Sequence, residues 1–186
     1  MKLAEFQRID SAVALIQRGL RLSIVSHTTG IPLKTLRSLH REIHGRSPPS
    51  GQMPSMRGML ATRQAQAFTS VFAALYRSVG GSGIYDRIDL TALLAAHDLY
   101  LSLLEEIIPC EPSAKPIDIN QAWVIVRDIR TGAAYFQACR ICLIRYLYAL
   151  DCRLSPRCPI CALRRREVLK HTAMDDKIKH SGISTH

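Results

Sequence analysis

ACRICLIRYLYALDCRLSPRCPIC, residues 138–161, holds five of the chain's six cysteines. Four of them form two Cys-x-x-Cys pairs, Cys139/Cys142 and Cys158/Cys161, separated by fifteen residues. A two-residue gap lets both sulfurs of a pair reach one ion at about 2.3 Å while the intervening amides hydrogen-bond the thiolates. Two such pairs complete a tetrahedron, and the spacing falls within the range used by zinc sites. Zinc suits soft sulfur without adding redox chemistry. Four protein ligands leave no position for water, so one structural Zn2+ per chain is expected, held by Cys139, Cys142, Cys158 and Cys161. Such an ion contributes about 10 kcal/mol or more, enough to order a segment too small for a core of its own. Iron–sulfur ligation uses the same residue type, and spacing alone does not separate the two. A thioredoxin-like dithiol would need a βαβ pattern that neither pair has. Cys152 belongs to neither pair, and Cys110 stands alone beside Pro109. Both read as small buried residues or spare thiols.

The surroundings of the pairs are basic. Arg140, Arg145, Arg153, Arg157, Arg164, Arg165 and Arg166 face a single acid, Asp151, between 140 and 166. Seven cations exceed what a zinc–tetrathiolate requires for compensation, so the arginines are read as a phosphate-binding surface braced by metal. The whole chain agrees: 25 Lys and Arg stand against 15 Asp and Glu, a net charge of +10. That balance favours a polyanionic partner, nucleic acid before an anionic membrane. The N-terminus lacks the apolar run of a signal peptide. The most apolar stretch, 90–108, is broken by His97, Asp98, Glu105 and Glu106, so no membrane span is expected. A cytoplasmic chain follows, in which clustered thiols bind metal more often than they form disulfides.

Upstream, apolar periodicity near 3.6 dominates and strands are hard to find before the cysteines. Helices are predicted over roughly 4–20, with Val13, Ile16 and Leu20 on one face, over 21–28, and on to Ile43, burying Leu33, Leu36, Leu39 and Ile43. Further helices are predicted over 62–78, with Phe68, Val71, Phe72 and Leu75 on one side, and over 89–108. Pro109, Pro112 and Pro116 punctuate the loop after them. Asp118 caps a last helix through Trp123, Val126 and Ile129, closed by Gly132. The resulting organisation is a mainly α helical bundle with a helix-turn-helix-like region (1–44), a Pro/Gly-rich strap (45–60), a helical core (61–132), a four-cysteine module (133–166) and a basic flexible tail (167–186).

LSIVSHTTGIPLKTLRSLH, residues 22–40, has the helix-turn-helix pattern. Ser26 is small where the helices would touch, and Gly30 takes the turn. Lys34, Arg37 and Arg41 recur at helical spacing opposite the buried leucines, as a recognition helix presents side chains to a major groove. The alternative is an ordinary helical hairpin with a solvated basic face. Read with the cysteine cluster and the charge, DNA binding leads, through Lys34, Arg37 and Arg41 and through Arg145, Arg153, Arg157, Arg164, Arg165 and Arg166.

Four stretches in this order resemble the FlhC family, the zinc-containing subunit of the bacterial flagellar master transcriptional activator. They are Leu20-Arg21-Leu22 with the following helix-turn-helix, the strap Arg41 to Gly51 with its Ser47-Pro48-Pro49, Gln121-Ala122-Trp123-Val124-Ile125-Val126-Arg127, and the paired cysteines. Together they cover most of residues 10–165. The resemblance implies a divergent, non-enzymatic, mainly helical subunit whose four paired cysteines ligate zinc. It also implies a hetero-oligomer of four FlhD and two FlhC subunits, which binds flagellar promoter DNA and activates transcription with RNA polymerase carrying the housekeeping sigma factor. The chain departs from the family pattern at Leu143, where glycine is usual, at Ser50, where lysine is usual, and at Arg46, which is inserted after Gly45. Two rival functions come from other classes. One is a zinc-stabilised protein–protein adaptor that makes no direct DNA contact. The other is a dithiol enzyme, for which no nucleophile–base arrangement or phosphate loop is present. His27, His40, His44 and His97 are scattered and read as surface or core residues.

Overall fold

The computed structural model describes residues 3–107 and 115–165. Cys110, Arg166, Pro109, Pro112 and the expected tail 167–186 lie outside the described residues. The mainly α expectation is met: α1 (Leu3–Gln17), α2 (Leu22–Thr29), α3 (Leu33–His44), α4 (Met56–Met59), α5 (Arg63–Gly80), a 3-10 turn (Gly81–Tyr85), α6 (Leu90–Ile107) and α7 (Ile119–Arg130) precede one antiparallel pair, β1 (Ala134–Ala138) and β2 (Arg145–Ala149). The chain forms two compact units. One extends to Pro54 and includes Asp118–Trp123; the other takes Ser55–Ile117 and the residues from Val124 onward.

In the first unit α1, α2 and α3 pack on one another. Their core is Ala12, Leu15 and Ile16 of α1, Val25 of α2 and Leu36 of α3, with Leu20 in the link between α1 and α2. Val13 is only half-buried, because the inward face of α1 runs through its neighbours. Asn120 fastens that link: its Oδ1 accepts from the Arg21 amide at 3.0 Å and its Nδ2 donates to the Gly19 carbonyl at 3.1 Å. The turn after α2 forms as its sequence requires. Gly30 adopts φ 71°, its amide donates to the Ser26 carbonyl, and the Ser26 hydroxyl donates to the Ile31 carbonyl at 2.7 Å. One expectation fails here. Leu33 is 39% exposed, because it opens α3 directly after Pro32, before the helix turns its apolar face inward. Leu39 and Ile43 are half-buried, and His40 fills the space instead at 4% exposure. Its Nδ1 lies 3.0 Å from the Arg46 carbonyl, and His44 Nε2 lies 2.8 Å from that of Ile16. The strap is drawn in by Arg21, whose guanidinium donates to the carbonyls of Pro49 (3.2 Å) and Gln52 (3.4 Å).

In the second unit α5 packs on both α6 and β2. Thr62 caps α5 by accepting from the Ala65 amide, and Asp89 does the same for α6 through the Ala92 amide. Phe72 meets the edges of Tyr100 and His97, with ring centroids 5.9 and 6.4 Å away. A Cβ on Gly80 would stand 2.5 Å from Ile84 Cγ2, so the close of α5 admits only glycine against the 3-10 turn. The Asp118 carboxylate accepts from the amides of Asn120 and Gln121 at 2.9 Å, opening α7 as expected, and Gly132 ends it at φ 73°.

The hairpin is the element that periodicity did not foresee. Ala134 pairs with Ala149 and Ala138 with Arg145. The outer edge of β2 meets α5 through polar side chains: the Ser70 hydroxyl accepts from the Leu147 amide at 2.9 Å and Gln66 Nε2 donates to the Leu147 carbonyl at 3.0 Å. This explains why the inward side of α5 carries Gln66, Thr69 and Ser70 while Phe68, Val71 and Leu75 are only half-buried. A strand edge must be satisfied before it can be buried.

Candidate metal centre

β1 delivers Cys139 at its end, and β2 begins three residues after Cys142. The intervening turn is tight. Leu143 N–H donates to the Cys139 carbonyl (3.1 Å) and Cys139 N–H to that of Ile144 (3.0 Å). The Ile141 amide points at Cys139 Sγ from 3.4 Å. Closing this turn puts Leu143 at φ 60°, the single positive φ outside glycine among the described residues. On the other side Cys158 precedes a helical segment over 159–165, Cys161 lies in its first turn, and the Ala162 amide donates to the Cys158 carbonyl at 3.1 Å.

The four sulfurs lie within 4.8 Å of one another. Cys139 Sγ is 3.8 Å from Cys161 Sγ, and Cys142 Sγ is 3.6 Å from Cys158 Sγ. A tetrahedron with metal–sulfur bonds of about 2.3 Å has edges of about 3.8 Å. The separations are far beyond a disulfide bond of about 2.05 Å, and all four thiols are free. The residues therefore fit a dication with four thiolate ligands. Cys152 is not among them; its thiol points to the Leu60 carbonyl at 3.8 Å.

Electrostatics set Cys139 apart from Cys158 and Cys161. Backbone amides of Cys142 and Ile141 hold the Cys139 thiol down to about 6. Hydrogen bonding with the Cys142 thiol, and burial, push Cys161 up to about 12, and burial raises Cys158. One thiolate is thus easily formed, while Cys158 and Cys161 resist adding like charge to the same small volume. A bound dication reverses that resistance.

Tyr146 is buried beneath the cluster, with Tyr148 and Ile160 packed around it. Its hydroxyl donates to the Pro156 carbonyl at 3.3 Å. The loop carrying the second pair is stapled from α5. Arg63 donates to the carbonyls of Arg157 (2.8 Å) and Ser155 (2.9 Å) and to the Ser155 hydroxyl (2.8 Å). Arg57 Nε reaches the Asp151 carbonyl at 3.3 Å. Arg63, Gln66 and Ser70 were invisible as site residues in the sequence, because their partners are backbone atoms some eighty to ninety residues away.

Arg145, Arg153, Arg157, Arg164 and Arg165 are exposed around this module, and Arg166 lies outside the described residues. In the first unit Lys34, Arg37 and Arg41 are exposed along α3. None of these cations is in an ion pair among the described residues. No helix among them is long and apolar enough to cross a membrane.

The class defined by this fold and site is a mainly α protein carrying a four-cysteine, metal-competent knuckle among exposed arginines. The FlhC family profile, described as "Flagellar transcriptional activator (FlhC)", matches residues 2–174. The chain belongs to the FlhC family. It is 32% identical over 166 residues to the flagellar transcriptional regulator FlhC of Burkholderia lata, covering 83% of this chain and 70% of that one. It is 29% identical over 144 residues to the FlhC of Gallionella capsiferriformans, covering 75% and 74%. The FlhC of Erwinia tasmaniensis is 24% identical over 172 residues, covering 92% and 94%.

Proposed function

We propose that this chain is the DNA-contacting, zinc-braced subunit of a flagellar transcription activator in the cytoplasm. In this reading it assembles with FlhD, as four FlhD and two FlhC subunits, binds double-stranded flagellar promoter DNA and recruits RNA polymerase with the housekeeping sigma factor. The observation that supports it most is the convergence of four thiols within 4.8 Å on a hairpin surrounded by exposed, unpaired arginines. Zinc bound by Cys139, Cys142, Cys158 and Cys161 would supply a cross-link between the hairpin turn and the segment from Cys158 onward. The chain itself supplies the contacts: Arg145, Arg153, Arg157, Arg164, Arg165 and Arg166 from the module, and Lys34, Arg37 and Arg41 from α3. Phosphate contacts of this kind position a protein on duplex DNA and make affinity fall steeply with salt. The test is to co-purify the chain with FlhD and titrate promoter DNA across a salt series. Steep salt dependence and selective binding by the complex are expected; a flat response contradicts the reading.

The adaptor reading has one observation in its favour. Ile141 and Leu143, at the tip of the first cysteine pair, are each 80% exposed. It predicts that reversing the charge of Arg164, Arg165 and Arg166 leaves activation intact, whereas the DNA reading predicts its loss.

A further inference from the structure

Between α5 and the hairpin lies a groove of about 290 Å³, lined by Ala74, Arg77, Ser78, Phe136 and Arg145. The register explains why it exists. Phe136 pairs with Leu147 and Ala138 with Arg145, so Phe136 and Arg145 stand on one face of the hairpin. Leu147 on that face is fully buried and its backbone is held by Gln66 and Ser70, which fixes the sheet against α5. Arg77 and Ser78 follow about two to three turns later on the same helix. The Arg77 guanidinium carbon lies 5.4 Å from the centre of the Phe136 ring. Neither Arg77 nor Arg145 is in an ion pair or donates a side-chain hydrogen bond among the described residues.

We propose that this groove is a seat for one backbone phosphate of bound DNA, with Arg77 and Arg145 as the two cationic donors and Ser78 as a hydroxyl donor. The proposal rests on the DNA-binding reading above and assigns it residues, Arg77, Ser78 and Phe136, that the sequence pattern does not single out. Two guanidinium groups that line one groove, neither in an ion pair among the described residues, make a local excess of positive charge. A phosphodiester answers both forks at once, with two non-bridging oxygens and one negative charge. The ring beneath Arg77 limits the positions its fork can take, so less rotamer freedom is lost when the anion arrives. Because the groove lies on the scaffold formed by α5 and the hairpin, the contact is rigid, and it reads no base.

The test uses the full chain in complex with FlhD and compares Arg77→Ala, Arg145→Ala, the double variant and Arg145→Lys. Each is titrated with promoter DNA and with an unrelated duplex of equal length. Zinc content and far-ultraviolet circular dichroism are measured on the same samples, and only variants matching the parent in both are compared. Each alanine variant is expected to weaken both duplexes by a similar factor, about five- to tenfold near 0.1 M salt. The double variant should lower the slope of log affinity against log salt by about 0.9, the value for one phosphate. Arg145→Lys should recover part of the loss, since the charge remains while the fork is gone. If the parent shows steep salt dependence and the alanine variants match it, the seat is overturned and the DNA reading stands. A loss confined to the promoter duplex overturns it in favour of base readout. Loss of FlhD from the complex, with the DNA contact otherwise unchanged, overturns it in favour of a protein carboxylate as occupant. A parent complex that binds no duplex overturns both.

Discussion

Leu143 has a left-handed backbone at φ 60° with its side chain 80% exposed. A left-handed conformation costs an L-residue about 1–2 kcal/mol, whereas glycine adopts it freely. Glycine also frees the unfolded chain, at a cost of about 0.5–1 kcal/mol, and almost no buried surface is lost with the leucine. Leu143→Gly is therefore expected to stabilise the metal-loaded protein by up to about 1 kcal/mol, measured as a rise in thermal midpoint; a fall would show that the side chain makes a stabilising contact. A second prediction concerns protons. In the metal-free fold the Cys158 and Cys161 thiols are raised and carry protons at pH 7, while Cys139, held to about 6, is already a thiolate. Zinc must displace the bound protons, so acid opposes loading. Between pH 7 and pH 6 the protons displaced from Cys158 and Cys161 alone should lower the apparent affinity by at least about 100-fold, and below pH 6 Cys139 adds a further proton. Calorimetry in buffers of differing ionisation enthalpy measures the proton count directly. At this scale the sequence was most informative. Metal-ligand spacing is a local property of the chain, and Cys139, Cys142, Cys158 and Cys161 converge as their spacing required. The resemblance marked only that glycine is usual at Leu143; its positive φ comes from the structure, since no composition rule marks one on leucine.

Among the elements, helices were legible and the hairpin was not. α1, α2, α3, α5, α6 and α7 fall close to the ranges their periodicity predicted, because each is long enough for an apolar stripe to repeat. β1 and β2 are five residues each, AYFQA and RYLYA, and the cysteine turn interrupts their alternation. Their edge is also satisfied by side chains that look like surface residues in the sequence. Gln66 is 0% exposed and Ser70 is 6% exposed, yet both belong to a helix whose apolar residues pointed elsewhere. Leu33 failed for the complementary reason: an apolar residue in the first position of a helix is not bound to the face that follows. The hydrogen bond from the Leu147 amide to Ser70 carries a prediction of its own. Ser70→Ala leaves that buried amide without an acceptor, a loss of about 1–3 kcal/mol. Denaturant unfolding of the metal-loaded chain measures it. Ser70→Thr, which keeps the hydroxyl, should be affected less, and equal losses in both variants would point to packing instead of the bond.

In the molecule as a whole, two compact units each carry their own exposed cations. The first exposes Lys34, Arg37 and Arg41 along α3; the second surrounds four free thiols with arginines. A net charge of +10 suits a polyanionic partner but does not choose the surface that meets it. In the proposed reading what chooses it is order in residues 150–161, of which only Cys158 and Pro159 are buried. Such a segment needs a cross-link, and a four-thiolate ion supplies about 10 kcal/mol or more. The measurement that bears most directly on this is metal removal from the proposed complex with FlhD, with zinc content, circular dichroism and promoter affinity followed on one sample. Zinc at about one ion per chain is expected, with its removal by chelation, or Cys139→Ser, loosening the module and abolishing promoter binding. A stripped complex that keeps its fold and binds the promoter as before would contradict the account.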